Sequence, residues 1–332
     1  MSELTQTTTN NTTLTREGQS NRPSLLARRR QDQVAGRMFF IFSLIPIGLA
    51  LFIIVMLLIR AWPIFQAHSM WDLLTGQVWK PEEGLFGFLP FITGTIWVTT
   101  TALILAVPPC LLTAIYLSEY AGNNLRAFMK PLLDLLAAIP PVVYGVWGII
   151  AVVPLLQDWL VPFVRDHFQN VPLLSSQNPT GFSILAGAIV LAVMVVPFII
   201  SIIYEVMNNV PSGLKQASLA LGTTRWQTIR WVIFPQALPG IIAAVVLGAS
   251  RALGETIAVL MVVGNVAQVP HSLLDTAYPL PALIANNYGD MMSVPLYDSA
   301  LLSVALILLV MILIFNIGST LVLRRFVGKD RA

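Results

Sequence analysis

Six stretches of this 332-residue chain are long and apolar enough to cross a lipid bilayer, and this feature restricts its fold more than any other. A helix needs about 20 largely apolar residues to cross the hydrocarbon core. Only 11% of the residues are charged, against about 25% in soluble domains. We therefore predict an all-α integral membrane protein, surrounded by lipid, with six transmembrane helices. The predicted spans cover residues 37–59, 91–117, 132–156, 182–204, 238–264 and 300–323.

Lysine and arginine flank these spans unequally. Of the 19 such residues, one (Arg251) lies within a span and three (Arg60, Lys80 and Arg165) lie in one set of alternate connections. The other fifteen lie in the tails, in the opposite set of connections and, for Arg37, at the very start of the first span. Since cytoplasmic loops carry the excess of positive charge, we predict that both termini and segment 211–235 are cytoplasmic.

The chain ends are predicted to lie outside the membrane domain. Residues 1–36 are rich in Thr and Asn and then in Arg, without apolar periodicity, and we expect a disordered cytoplasmic tail. The six-span domain covers 37–325, and 326–332 form a short cytoplasmic C-terminal tail.

Two outer connections leave alternatives open. The first carries Trp62, Trp71 and Trp79, which suit either an interfacial belt or a docking face for an external partner. The last contains LPALIANNY at 280–288, which suits either a re-entrant or an interfacial helix. Prolines at 108–109, 140–141 and 197 are expected to kink three of the spans.

Segment 211–235 is predicted to be an amphipathic cytoplasmic helix. Pro211 and Ser212 suit its first turn, and Gly222 favours a bend between two short helices. It leads directly into the fifth predicted span. Either it is an ordinary interfacial helix, or it passes a push from outside the bilayer to the spans.

The fifth span carries an intramembrane arginine and glutamate. Arg251 lies about 21 Å from the cytoplasmic start of this span at ~1.5 Å per residue, and Glu255 follows one turn later on the same face. Ionisable residues at this depth are expensive unless they are paired or face water. They form either a structural ion pair or part of a translocation path, which Thr256 could also line.

The sequence offers little for catalysis. The three histidines lie in outer connections without metal-ligand spacing, and Cys110, the single cysteine, lies in an apolar run. No G-x-x-x-x-G-K-[ST] nucleotide-binding run occurs. We predict no enzymatic activity, no catalytic residue, no metal site and no nucleic-acid partner.

A resemblance emerges within segment 211–235. The run Gln216-Ala217-Ser218-x3-Gly222-x9-Val232-x-Phe234-Pro235 resembles the EAA signature loop of ABC-importer permeases, with Gln216 in place of the glutamate. In that family the loop is a coupling helix that docks on a cytoplasmic ATPase. The resemblance implies a type I ABC-importer permease fold with a coupling helix at about 211–230. The implied coupling residues are Lys215, Gln216, Ala217, Ser218, Gly222, Arg225, Trp226 and Pro235.

Three further runs narrow the resemblance. FGFLPFITGT, LLDLLAAIPPVVYGVWG and RALGETIAVLMVVGN look like those of PstC-type permeases of phosphate ABC importers, over roughly residues 37–325. This implies a bacterial inner-membrane subunit that imports phosphate by alternating access. Its implied partners are a PstA-type permease, two PstB-type ATPases and an external PstS-type phosphate-binding protein. The chain itself would bind no cofactor, and ATP and Mg²⁺ would be used by the ATPase.

Arginine suits phosphate because its planar fork can bind two phosphate oxygens and stays charged. On this interpretation Arg251, Glu255 and Thr256 lie on the substrate path. The alternatives are a permease for another oxyanion, such as sulfate or molybdate, and an ATP-independent secondary transporter or channel.

Overall fold

The computed structural model describes residues 25–168, 171, 173–174, 178–289 and 293–327, and they are mostly helical. A two-stranded antiparallel hairpin, β1 Trp79–Lys80 and β2 Leu85–Phe86, pairs Trp79 with Phe86. The helices are α1 Leu25–Ala67, α2 Met70–Thr75, α3 Leu89–Tyr120, α4 Asn123–Ala138, α5 Pro141–His167, α6 Ile184–Asn208, α7 Ser212–Ala220, α8 Arg225–Leu253, α9 Ile257–Leu260, α10 Leu280–Asn287 and α11 Tyr297–Val327.

Six of these helices are long and apolar enough to cross a membrane, which confirms the predicted fold class. They are α1, α3, α5, α6, α8 and α11. Large apolar side chains such as Ile104, Leu112, Ile150 and Ile314 are exposed on their surfaces. A soluble monomer rarely exposes large contiguous apolar patches, whereas a membrane protein presents such a surface to lipid.

The chain divides into two compact units at Met56 and Leu57, within α1. In the first unit, α1 already begins at Leu25. The prediction of disorder through residue 36 is therefore wrong for 25–36, where a run of helix-forming residues leads into the first span. Residues 1–24 and 328–332, which include most of the two predicted tails, lie outside the described residues.

The main core of the second unit lies where α3 packs along α6. Small side chains on α3, including Ala102, Ala106 and Ala114, are buried and let the two helices approach closely. Cys110 is fully buried in the same interface, as expected for a packing residue. Pro108, Pro109 and Pro197 lie inside these two helices.

The third span does not lie where the sequence predicted it. Residues 132–156 were expected to form one helix, but α4 ends at Ala138 and α5 begins at Pro141. Pro140 and Pro141 separate two helices here instead of kinking one, because proline at the first turn of α5 cannot continue α4. The third span is α5, and α4 is a separate amphipathic helix that packs on α6.

The fifth span also differs from its prediction, 238–264. The helix α8 begins at Arg225, so the second half of segment 211–235 and the span are one continuous helix. A π-helical turn at Ile229–Ile233 ends two residues before Pro235, which has no amide to donate to the hydrogen-bond ladder. The helix then ends at Leu253, eleven residues before the predicted end.

A second, smaller core surrounds the β-hairpin. Trp79 packs against Phe86, Phe91 and Tyr297 with ring centroids 5.3–6.3 Å apart. It is therefore a packing residue, whereas Trp62 and Trp71 are exposed. The LPALIANNY run forms α10, whose first four residues are buried and which packs on α11 and α3.

Candidate functional site

The span α8 breaks in the run that carries the predicted path residues. Arg251 lies in the last turn of α8, and a cation is favourable near a helix C-terminus. Glu255 and Thr256 lie in the non-helical link between Leu253 and α9. Non-helical backbone at membrane depth is tolerated where it is buried in protein or lines a cavity, and interrupted helices often mark transport sites.

The neighbours of Arg251 place it near the middle of the bundle. Its guanidinium lies over the ring of Phe198, 5.1 Å from the centroid. Phe198 is about ten residues, or ~15 Å along the helix, from the C-terminal end of α6. The adjacent Ser250 donates a hydrogen bond of 2.7 Å to Asn316 Oδ1, which is about 16 Å from the end of α11. Arg251 therefore lies beside the middle of α6.

The ion pair, one of the two alternatives for Arg251 and Glu255, is not formed between these two described residues. In the described part of the chain no Arg251–Glu255 ion pair lies within 4.0 Å. Because α8 ends two residues before Glu255, the two side chains do not share a helix face. Glu255 Oε1 instead accepts a hydrogen bond of 3.4 Å from the amide of Ala258 in α9. Both residues are half-buried.

Glu255 also lines a small cavity between α3, the break in α8 and the start of α10. The α3 wall contributes Thr95 and Thr99, which are both buried. Thr256 is half-buried, and its hydroxyl donates to the carbonyl of Gly254 at 3.3 Å. Thr256 is not among the residues lining this cavity. The break thus brings together one carboxylate and small hydroxyl side chains from a neighbouring span.

The second candidate region is the elbow, which we define as residues 212–228. It contains α7, a tight turn and the first turn of α8. Gly222 in this turn has φ +84°, a conformation that strongly favours glycine. Thr224 and Gln227 then form a capping box that starts α8. The predicted bend at Gly222 is confirmed.

A cluster of three hydroxyl groups closes the elbow from within. Ser218 Oγ lies 2.8 Å from Thr223 Oγ1 and 3.1 Å from Thr228 Oγ1, and the two threonine oxygens are 3.0 Å apart. Ser218 and Thr228 are buried. The cluster therefore joins α7 to the first turn of α8.

Most predicted coupling residues are on the exposed surface of the elbow. Exposed are Gln216, Ala217, Gly222, Arg225, Trp226 and, just beyond it, Pro235. Leu221 is 86% and Trp226 55% exposed, so the surface is partly apolar with Arg225 beside it. Ser218 differs from this group because it lies inside the hydroxyl cluster.

Lys215 points toward the bundle instead. Its ammonium lies 2.6 Å from Glu119 Oε1, and the two side chains are only 21% and 14% exposed. Glu119 is in the last, π-helical turn of α3. The ion pair thus fastens the elbow to the end of α3.

Four residues of these two regions were not singled out from the sequence. Asn316 is the one amide in a largely apolar span, and Glu119 is the one acid in a basic flank. The sequence pattern could therefore have pointed to both residues. Phe198 and Thr223 carried none, since only the packing of the chain brings them to their partners.

The chain is similar to known transport permeases. Residues 110–328 match the family described as "Binding-protein-dependent transport system inner membrane component". This match covers more than half of the chain, and the chain belongs to this family of transport permeases.

Within the described residues no cluster of three His, Cys, Asp or Glu side chains suits a metal ion.

Similar proteins include the phosphate transport system permease protein PstC of Xylella fastidiosa strain 9a5c, 37% identical over 76% of this chain and 78% of that protein. The probable ABC transporter permease protein YqgH of Bacillus subtilis is 38% identical over 86% of this chain and 89% of that protein. Both relatives are named as permease proteins, in agreement with the transport role predicted for this chain.

A solved structure shows the same fold at low sequence identity. It is a bacterial ABC transporter involved in the import of the acidic polysaccharide alginate, with a TM-score of 0.54 and 16% identity. The match covers 90% of this chain and 99% of that one. The likeness confirms the predicted importer-permease fold.

Proposed function

We propose that this chain is the PstC-type subunit of an ATP-driven importer and carries inorganic phosphate through the break in α8. The observation that carries the proposal is Arg251, a permanent cation beside the middle of α6, held by an aromatic ring and without a carboxylate partner in the described residues. Such a guanidinium can take two oxygens of an oxyanion. The PstC relatives favour phosphate as that oxyanion.

Glu255 is proposed to distinguish phosphate from sulfate. The hydrogen phosphate ion carries a hydroxyl that can donate to a carboxylate, whereas sulfate has none at neutral pH. Glu255 is four residues from Arg251 and lines the adjacent cavity with Thr95 and Thr99. Thr256 supplies a further hydroxyl on the link.

The arrangement of the complex is part of the proposal. The chain would lie in a bacterial inner membrane with both termini in the cytoplasm, as the distribution of Lys and Arg supports. Its partners would be a PstA-type permease, two PstB-type ATPases and an external PstS-type binding protein. ATP and Mg²⁺ would be bound by the ATPases and not by this chain.

The elbow is the proposed docking surface for one ATPase. Its exposed Leu221 and Trp226, beside Arg225, suit a groove on a partner protein. ATP binding would move the elbow, and α8 would pass that movement to Arg251. This movement would expose the site to alternate sides of the membrane. The family match favours this mechanism over an ATP-independent transporter or channel.

The test is ATP-dependent uptake of radiolabelled phosphate into vesicles that contain the four kinds of subunit. Wild type should take up phosphate, and Arg251→Gln should not, although the complex still assembles and hydrolyses ATP. Uptake that survives in Arg251→Gln would assign Arg251 a structural role.

Competition tests the choice of anion in the same vesicles. Arsenate, which carries the same hydroxyl as phosphate, should compete, and sulfate should not. Glu255→Gln should weaken this preference. Uptake of sulfate or molybdate by wild type, without phosphate uptake, would keep the architecture and contradict the substrate.

A further inference from the structure

The ion pair between Lys215 and Glu119 differs from the other ion pairs of the described residues. Its two side chains are 21% and 14% exposed, whereas the partners of the other pairs are between 38% and 65% exposed. Removal of one partner of a buried pair leaves an uncompensated charge. This pair is therefore built into the protein and is not an incidental surface contact.

The pair joins two elements that meet again at the candidate site. The elbow is continuous with α8, which carries Arg251 and ends beside Glu255. Glu119 belongs to α3, which contributes Thr95 and Thr99 to the cavity that Glu255 lines. Both walls of that cavity are thus connected to the elbow, one through the backbone and the other through the ion pair.

Neighbouring contacts reinforce the end of α3 without involving the elbow. Arg126 of α4 donates hydrogen bonds to the carbonyls of Leu117 and Ser118 at 2.9 and 2.6 Å. Because the hydroxyl cluster joins α7 to the first turn of α8, we expect a displacement of the exposed surface of the elbow to reach Lys215.

We propose that Lys215 and Glu119 are positioning residues that couple movement of the elbow to α3. The inference rests on the proposed function. With the pair intact, a push on the elbow moves α3 and α8 together, so both walls of the site rearrange in one step. Without it α8 still follows the elbow, but α3 does not, and ATP is hydrolysed without productive opening of the site.

The first experiment measures phosphate uptake per ATP hydrolysed in vesicles of the complete complex. Lys215→Met should lower this ratio by about 5-fold or more, the lower end of ordinary coupling between sites. ATP hydrolysis should persist because the exposed surface of the elbow is unchanged. The matched control is Lys130→Met, since Lys130 pairs with Glu205 at 2.7 Å and joins α4 to α6 without touching the elbow.

A second experiment separates coupling from folding. Cysteines at positions 215 and 119, bridged by a short bis-methanethiosulfonate reagent, should restore the ratio, and reduction of the bridge should lower it again. The native Cys110 is fully buried, and single-cysteine variants serve as controls. The exchange of both charges, Lys215→Glu with Glu119→Lys, should also restore part of the ratio.

The outcomes distinguish the inference from the proposed function. If wild type shows no ATP-dependent phosphate uptake, the proposed function is wrong. If wild type transports phosphate and Lys215→Met keeps the wild-type ratio, the inference is wrong. A variant that loses hydrolysis and uptake equally, and is not rescued by the bridge, also contradicts it.

Discussion

The guanidinium of Arg251 is held over the ring of Phe198, so a charge at the end of α8 is positioned by the middle of α6. A cation over an aromatic ring gains about 0.5–2 kcal/mol without a hydrogen bond or a counter-charge. The arginine is therefore positioned while its donors remain available to an anion.

Phe198→Leu should lower phosphate uptake, because it removes the ring and keeps an apolar side chain. Loss of the cation–π energy corresponds to roughly 2- to 30-fold. Phe198→Tyr keeps a ring and should retain most of the uptake. Initial uptake rates in vesicles measure both variants, and equal rates for Leu and wild type would show that the ring does not position Arg251.

Gly248→Ala should destabilise the protein by about 1–3 kcal/mol, as overpacking does in other cores. A Cβ at this position would come within 2.6 Å of the Ile199 side chain, where α8 crosses α6. Gly254→Ala is the matched control, since its Cβ would meet nothing closer than 3.8 Å. Thermal unfolding in detergent should separate the two variants, and similar losses in both would contradict this packing.

Gly222→Ala should loosen the elbow, because a left-handed residue with a Cβ costs about 1–2 kcal/mol. The strain is conformational, since no atom lies within 4 Å of the added Cβ. Gly213→Ala has the same open space but lies in α7 at an ordinary φ, and it should be neutral or slightly stabilising. Amide hydrogen exchange across 212–228 should become faster only in the Gly222 variant, and unchanged exchange there would contradict the assigned strain.

The pair between Lys130 and Glu205 should be insensitive to pH near neutrality. The hydrogen bond to Glu205, with the attraction of its charge, raises the pKa of the Lys130 ammonium above its usual value. A group whose pKa is raised on folding contributes fully to the free energy of unfolding at any pH below its unfolded pKa. That contribution is lost as the pH rises through the folded pKa. On the alkaline side of neutrality, the pair should therefore weaken only above the usual lysine range, near pH 10.4.

NMR of the ¹³C-methylated lysine can follow this titration. Glu205→Gln should return the pKa of Lys130 toward its usual value. An unchanged titration in that variant would show that Glu205 does not cause the shift.

Hydropathy located the membrane-spanning regions but not the ends of every helix. The fifth span was predicted from residue 238 because its apolar run begins there, whereas the hydrogen-bond ladder of α8 already begins at Arg225. The break after Leu253 escaped prediction because the apolar run resumes at Ile257 and no proline lies within residues 254–264. The break between α4 and α5 did carry a signal, the Pro140–Pro141 pair, but the surrounding apolar run concealed it.

Long-range contacts were harder to predict than elements. The sequence predicted that Arg251 lies near mid-membrane, because depth was counted along one helix, and this depth stays a prediction. It failed for the partner of Arg251, since the helix ends before Glu255 and Phe198 is supplied by α6. The coupling residues were predicted from their spacing, but the fold was needed to show which of them are exposed and which face inward.

Because α8 is one continuous helix, we expect a rotation at its first turn to reach its last turn. The 29 residues from Arg225 to Leu253 extend about 43 Å, with Arg225 in the elbow at one end and Arg251 at the other. A rotation of ~10° at the elbow would move a side-chain tip on the ~6 Å radius of the helix by roughly 1 Å. Thermodynamic linkage makes this coupling reciprocal. An anion that binds better to one position of Arg251 must shift the elbow toward the corresponding position by the same free energy.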